Sequence, residues 1–227
     1  MINKNLIERM DRNKNRINQI RLSNIEKSDL LNQYARAEFI QSSMEINEDA
    51  ALLAYEKAYD SILEAAGQEN LIINEDMIRQ MYTSLIEGTD LIQTGSYRIT
   101  TADTLGIKAI PPSAEEIDSL ISHFIHQIET SKMMFHPIEF AAMCHKRIID
   151  IQPFPIGNGH IARLLMNLIL VQEGYGVVII PPRAREEYFN AIIASRRPNT
   201  PDIDTLLQFI AKSMIDTQES YIKILDR

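Results

Sequence analysis

Hydrophobic positions recur every three to four residues along most of this chain, which is the spacing of helices with one buried face. Start signals precede several of these stripes. Residues 47–49 are Asn, Glu and Asp, and Ser113 and Glu116 have the spacing of a capping box. The pattern predicts a mainly α protein, with helices over residues 3–22, from the 47–49 cap to 66, over 75–87, from 117, over 137–151, over 183–195 and from 202 onward.

One segment is apolar on nearly every side rather than on a single face. It extends from residue 158 to Gly174. Within it, every residue from 164 to 170 is hydrophobic except one asparagine. A helix of this kind keeps its surface from water only when other elements surround it. We therefore predict a central buried helix that ends at Gly174, a residue type common at helix C-termini.

A glycine-rich turn opens this apolar helix and carries the clearest chemical signal in the chain. Gly157 and Gly159 flank Asn158, and Arg163 follows one helical turn later. Glycine permits backbone conformations in which successive N–H groups converge on an anion, and the helix dipole adds positive charge at the same point. The Arg163 guanidinium can add two hydrogen bonds to phosphate oxygens. The turn therefore predicts a phosphate or nucleotide site formed by Gly157, Asn158, Gly159 and Arg163.

The stretch around this turn, DIQPFPIGNGHIARLLMN at residues 150–167, resembles the signature of the Fic family, His-Pro-Phe-x-Asp/Glu-Gly-Asn-Gly-Arg-x-x-Arg. Active members of that family transfer AMP or a related phosphate group from a nucleotide to a protein hydroxyl. The matching positions are Pro153, Phe154, Gly157, Asn158, Gly159 and Arg163. Three positions differ: Gln152 stands in place of the histidine, Ile156 in place of the acid, and His160 in place of the first arginine.

These three differences fall on the groups that the family uses for chemistry. The family's histidine removes the proton from the attacking hydroxyl, which is worth about a hundred- to ten-thousand-fold in rate, and the Gln152 amide cannot take up that proton. The family's acid holds a divalent cation, whereas Ile156 offers no oxygen ligand. His160 keeps a hydrogen-bond donor but is mostly neutral at pH 7. The resemblance therefore implies a disarmed catalytic site at Gln152 and His160, with no residue for a metal.

The resemblance covers about residues 40–195. The helix that begins at His136-Pro137 is similar to the helix before the family signature, and Gly95–Arg98 followed by Pro111-Pro112 is similar to the flanks of the family's flap. It implies a Fic-like helical bundle with a short β-hairpin flap between residues 97 and 110. In the family this flap receives a protein target as an added strand, so Tyr97 and Arg98 are candidate docking residues.

Many family members also carry an inhibitory helix, Ser/Thr-x-x-x-Glu-Gly/Asn, whose glutamate pairs with the last arginine of the signature. The segment at 83–88 matches this string literally and would make Glu87 the inhibitory residue. The segment at 41–47 fits the family's spacing better and supplies Glu45, although it lacks the first hydroxyl and the glycine. We favour Glu45 and keep Glu87 as the alternative.

The composition is consistent with one folded domain and excludes some partners. With 227 residues, of which 45% are hydrophobic, the chain can bury a sizeable core, and we predict an N-terminal helical arm at 1–27 and a single Fic-like domain at 28–227. A net charge of −8 argues against binding to nucleic acid or to anionic membranes. The absence of a signal-peptide pattern and of a membrane-spanning run leads us to expect a cytoplasmic protein. The single Cys144 excludes an internal disulfide and is interpreted as a buried thiol.

Three functions are compatible with these features. The first is a catalytically impaired Fic-like protein that still binds ATP or another nucleotide, without holding Mg²⁺ tightly, and acts on a protein target through the flap. The second is a working transferase in which His160, or a residue outside the signature, supplies the base. The third is an interaction module that binds no nucleotide, whose flap edge and N-terminal arm contact another protein or a second copy of the chain as a homodimer.

Overall fold

The computed structural model describes residues 1–43, 49–68, 71–86, 95–100 and 111–226. Within these ranges it is built from helices and contains no strand, which confirms the mainly α class. The α-helices are α1 (Lys4–Ser23), α2 (Ile25–Ser43), α3 (Asp49–Ala66), α4 (Glu75–Ile86), α5 (Ile117–Ser131), α6 (Pro137–Ile151), α7 (Asn158–Gln172), α8 (Arg185–Ser195) and α9 (Ile203–Leu225). Short 3-10 turns occupy Ala114–Glu116, Lys132–Met134 and Pro182–Ala184.

Helix α7 lies at the centre of the bundle, as its apolar sequence predicts. Its side chains from Leu164 to Leu170 are all buried, including Asn167, whose amide exchanges two hydrogen bonds with the backbone of Val178. The helix packs against α6, α3 and α4. Because α7 is enclosed on several sides, its first turn has a fixed position relative to three neighbouring helices, which matters for the glycine turn that precedes it.

The ends of several helices follow the local signals in the sequence. Ser113 and Glu116 form the predicted capping box, and His136 caps α6 through its ring nitrogen. Asp202 caps α9 by accepting a hydrogen bond from the Thr205 N–H at 3.1 Å. The predicted helix at 183–195 starts two residues later, at Arg185, because a 3-10 turn that includes Pro182 precedes it.

Helix α1 lies along α9. Its apolar stripe is turned inward: Met10 is fully buried and Ile17 nearly so. At the edges of the contact, Arg9 pairs with Glu219 and the Arg16 guanidinium lies 2.8 Å from an Asp226 carboxylate oxygen. The apolar stripe of the N-terminal helix thus packs on α9 of the same chain, while the division at residue 27 stays a prediction.

Several sequence expectations concern residues that lie outside the described ranges. The hairpin predicted between 97 and 110 falls mainly on residues 101–110, and both inhibitory candidates, Glu45 and Glu87, are outside as well. These expectations stay predictions. In the described part of the chain, none of the helices combines the length and the apolar character needed to cross a bilayer.

Candidate functional site

The loop between α6 and α7 begins with Gln152 in a left-handed backbone conformation. Its φ and ψ are 47° and 63°, and its N–H closes the last turn of α6 on the Ile148 carbonyl. The residue is buried, and its side-chain oxygen Oε1 meets no hydrogen-bond partner in the described structure. Gln152 therefore occupies the position of the family's histidine in a strained, desolvated state, and its amide has no basic nitrogen.

The left-handed conformation gives a prediction that compares two substitutions at one position. We expect Gln152→Gly to be more stable than Gln152→Ala by about 1 kcal/mol, because a Cβ is disfavoured at this φ. At the exposed Gln19 in α1 the same pair should differ by about 1 kcal/mol in the opposite direction, since glycine weakens a helix. Urea unfolding of the four variants measures both differences. Equal signs at the two positions would contradict the assigned conformation.

Arg98 fastens this loop to the start of the flap region. Its N–H donates to the Pro153 carbonyl at 2.9 Å, its Nε donates to the Gln152 carbonyl at 2.7 Å, and a terminal nitrogen donates to the Pro112 carbonyl at 2.6 Å. Its side chain is almost completely buried, and burial lowers the pKa of the guanidinium below its usual value. Arg98 thus connects the loop with Thr100 and Pro112, and its side chain is buried.

Phe154 anchors the loop in the core. It is fully buried and stacks on Tyr82 with ring centroids 3.9 Å apart and an interplanar angle of 9°. Tyr97 packs against its other side at 5.4 Å and is itself covered by Arg79, whose guanidinium carbon is 3.7 Å from the Tyr97 ring centroid. Tyr97, like Arg98, is buried against the body of the protein. The docking role of the two residues stays a prediction.

The glycine turn places the start of α7 as the sequence argument requires. Gly157 has φ of 75°, a left-handed conformation that favours glycine, whereas a Cβ added there would make only an ordinary contact with Leu85, at 3.5 Å. The buried Asn158 accepts from the Phe154 N–H at 2.9 Å and donates to the Phe154 carbonyl at 2.8 Å. The Asn158 side chain therefore holds the turn together, and its backbone N–H is the group left for a ligand.

The first turn of α7 offers donors for an anion. The first N–H groups of any α-helix lack intrahelical acceptors, and Gly157 at the cap position has no side chain to satisfy them. Arg163 reaches back over this turn, with Nη1 3.6 Å from the point where a Gly159 Cβ would sit. The absence of a side chain at Gly159 thus leaves space between the helix start and the guanidinium, and the combined groups favour negative charge.

A hydrogen-bonded network fixes Arg163 from both sides. Its Nη2 lies 3.0 Å from His160 Nδ1, which is 2.7 Å from the Tyr55 hydroxyl. Arg163 also lies near Tyr188 and favours the ionised form of its hydroxyl, although burial raises the pKa of Tyr188 overall; that hydroxyl lies 2.6 Å from Nε2 of the fully buried His145. The side chain of Arg163 is therefore held in place by α3, α8 and α6, as expected of a preorganised binding group.

His160 is held as a neutral imidazole within this network. Because arginine only donates hydrogen bonds, Nδ1 of His160 must accept the bond from Arg163, which requires an unprotonated nitrogen. Burial and the nearby charges of Arg163 and Arg185 lower the pKa of His160 to about 3. At neutral pH His160 therefore carries no positive charge of the kind that the family's arginine supplies. It is also a poor general base because its pKa lies far below 7.

No metal-binding group is present at the position where the family has its acid. Ile156 is 46% exposed and supplies only hydrocarbon. Across the ranges that the structure describes, no three His, Cys, Asp or Glu side chains are grouped closely enough to hold a metal ion. The site residues therefore fit a phosphate group better than a phosphate–metal pair.

The described residues that precede the two candidate inhibitory glutamates, Ser42 and Leu85, lie near this site. The Ser42 carbonyl near the end of α2 lies 3.5 Å from Arg185 Nη2, and Leu85 near the end of α4 contacts the position of Gly157. Glu45 follows the first segment and Glu87 the second. The positions of Ser42 and Leu85 are compatible with an inhibitory role for either glutamate, and both stay candidates.

Several residues that shape the site were not identified from the sequence. Tyr55, Tyr82 and Tyr188 lie outside the signature, on helices whose periodicity indicates a buried face but not its contacts. His145 on α6 is also fully buried and bonds to Tyr188, and burial lowers its pKa to about 3. The tyrosines could have been suggested only by their helical spacing toward the core.

Comparisons with known proteins agree with this geometry. Residues 72–170 match the model of the Fic/DOC family. The chain is 29% identical over 178 residues to the protein adenylyltransferase Fic of Aedes aegypti, covering 78% of this chain and 35% of that protein. It is also 29% identical over 183 residues to the protein adenylyltransferase Fic of Nematostella vectensis, covering 80% of this chain and 41% of that protein. It thus spans well under half the length of these curated relatives.

Solved structures give the same result for the fold. A Fic-domain signalling protein from Bacteroides thetaiotaomicron superposes with a TM-score of 0.78 at 21% identity, covering 94% of this chain and 98% of that one. Fic-1 from C. elegans superposes with a TM-score of 0.71 at 25% identity, covering 81% and 54%. The first of these similarities concerns the fold alone.

Proposed function

Residues 72–170 of this chain belong to the Fic/DOC family, and we propose that the protein binds nucleotide phosphates at the start of α7 but is impaired in AMP transfer. The activity that we take as the starting point is the one in the names of its relatives, protein adenylyltransferase. The observation that carries the proposal is the position of Arg163, which lies over the uncapped first turn of α7 beside Gly159.

The binding half of the proposal rests on groups that remain intact. Gly157 and Gly159 leave the first turn of α7 open, and Asn158 fixes the turn through its two bonds to Phe154. Arg163 is preorganised by hydrogen bonds, so little side-chain entropy is lost when it contacts a phosphate. These groups suit the phosphates of ATP or ADP, and Ile156 supports binding that does not depend on Mg²⁺.

The impairment half rests on the groups that are replaced. Gln152 cannot accept the proton of an attacking hydroxyl, and its side chain is buried. The neutral, desolvated His160 supplies neither the charge of an arginine nor a base poised near pH 7. The pKa of about 3 for His160 therefore weighs against the second function, in which this residue replaces the missing base.

Calorimetric titration tests the binding site. We expect weak binding of ATP, ADP and inorganic phosphate to the wild type, with little change when Mg²⁺ is added. Arg163→Ala should weaken it by about ten- to a hundredfold, because a hydrogen bond to a charged group contributes about 1.5–3 kcal/mol. Arg12→Ala, which removes an exposed arginine from α1, is the matched control and should leave binding unchanged.

Two outcomes would shift the proposal toward the interaction module. The first is no heat and no thermal shift with any of the three anions at millimolar concentration. The second is binding that survives Arg163→Ala at full strength, which would place the anion elsewhere on the chain.

The proposal has two further parts. One is that the predicted flap binds a protein target, and the other is that the inhibitory segment regulates phosphate binding. We propose a short hairpin between residues 97 and 110 whose open edge receives the target, and the bonds from Arg98 to Thr100 and Pro112 support it by holding these two residues to one side chain. Slower amide exchange of residues 101–110 on target binding would support the assignment. For Glu45 or Glu87 we propose pairing with Arg163, so that replacing the correct glutamate with alanine tightens phosphate binding in the same titration.

A further inference from the structure

A second concave site lies away from the glycine turn, between α5, α6 and the beginning of α9. It is a cavity of about 270 Å³, and none of the loop residues from 152 to 163 line it. Most of its wall is hydrocarbon. The apolar lining residues are Phe124, Ile128, Phe140, Met143 and Ile203.

Charged side chains line one part of this cavity, and all but one are paired. Lys146 pairs with Asp150, and the Arg196 Nε lies 3.2 Å from the second oxygen of the same carboxylate. Arg147 is the exception. Its Nε is buried and meets no hydrogen-bond partner, and the described part of the chain contains no carboxylate within ion-pair distance of its guanidinium.

Arg147 is only partly buried, and no carboxylate in the described part of the chain neutralises its guanidinium beside the apolar wall. Arginine binds carboxylates through two parallel N–H groups, and the two terminal nitrogens can form such a pair. The acid closest to Arg147 in the lining, Asp150, is already shared between Lys146 and Arg196. A carboxylate from outside the chain therefore fits the terminal nitrogens of Arg147, which hydrogen bond to no other group in the described structure.

We propose that this cavity binds an amphipathic monocarboxylate, whose head group contacts Arg147 and whose hydrocarbon tail packs against Phe124, Ile128 and Phe140. The volume lies just below the roughly 300–1,000 Å³ of ordinary small-molecule pockets, which restricts the tail to a short chain. A phosphorylated ligand fits less well because its charged oxygens would face the apolar wall. The proposal is independent of the phosphate site at the start of α7.

Octanoate is the probe, and methyl-labelled methionine gives a local readout. We expect octanoate to shift the Met143 methyl signal, which belongs to the cavity lining, and to leave that of Met166, buried in α7, unchanged. Octan-1-ol, with the same tail and no charge, should bind at least about tenfold more weakly, since it cannot form the paired hydrogen bonds with Arg147. Millimolar phosphate should not displace octanoate.

Substitutions at Arg147 provide the decisive comparison. Arg147→Leu should weaken octanoate at least about tenfold, and Arg147→Lys should also weaken it, because lysine keeps the charge but lacks the planar pair of donors. Arg12→Leu removes an exposed arginine elsewhere and should have no effect. Thermal melting shows whether each variant is folded. If the leucine variant is unfolded, the lysine variant alone provides the comparison of octanoate affinity. Equal binding of octanol and octanoate, unchanged affinity in both Arg147 variants, or a silent Met143 signal would overturn the proposal.

Discussion

Wild-type protein incubated with labelled ATP and Mg²⁺ is expected to transfer no detectable AMP to itself or to added protein hydroxyls. The loss of the base at Gln152 alone should lower the rate by about a hundred- to ten-thousand-fold. Ile156 removes the metal ligand, and with it a stabilisation of transition-state charge usually worth several kcal/mol. The neutral His160 adds a third deficit at the phosphate. Autoradiography of the reaction over several hours measures the effect.

Restoring the family's groups should return activity only when all three are changed together. We expect Gln152→His, Ile156→Asp and His160→Arg combined to give measurable self-modification with ATP and Mg²⁺ or Mn²⁺, while each single change stays silent. Addition of Arg163→Ala to the triple variant is the control and should abolish the recovered signal. Robust transfer by the unmodified protein that disappears in His160→Ala would contradict the impaired site and favour a transferase with altered chemistry.

The largest expected effect on stability comes from Phe154. Phe154→Ala should lower the free energy of unfolding by about 3–5 kcal/mol, because the ring is fully buried and its loss leaves a cavity against Tyr82 and Tyr97. The matched control is Phe189→Ala on α8. That ring is 43% exposed, so its removal should cost less than about 1 kcal/mol.

Equilibrium unfolding in urea measures the free energy of unfolding of both Phe→Ala variants. An m-value equal to that of the wild type shows that the difference is one of stability. Similar losses at Phe154 and Phe189 would mean that the loop is not anchored in the core, and the preorganisation of the α7 start would then lack its support. The calorimetric response of Phe154→Ala to phosphate should fall in parallel with stability, since the ring positions the turn that ends at Gly157.

Much of the helical framework follows from local sequence signals. The apolar run after residue 158 correctly predicts a buried central helix, and the capping residues Ser113 and Asp202 fix two helix starts. These features depend on interactions within a few residues, so a linear pattern contains them. The start of α8 differs because proline in the preceding segment favours a 3-10 turn before the regular helix.

The contacts of the site are less accessible to such reasoning because they join distant parts of the chain. Arg98 looks like a docking residue in the sequence, yet it bonds the backbone of Gln152 across 54 positions. Tyr55 meets His160 across 105 positions. A motif identifies Gly157 and Arg163 because they share one helix start, but it contains no information on which side chains from other helices will hold them. The pKa of His160 depends on those partners and on burial.

The packing of α1 on α9 has a consequence for the order in which this molecule assembles. Arg9 and Glu219, which pair across that contact, are separated by 210 positions. Until residues 203–225 have been synthesised, α1 lacks the α9 surface against which Met10 packs, although it also contacts α2. Contacts of such long range form slowly because a large loop must close first. During that interval the exposed stripe of α1 is a natural binding surface for a chaperone.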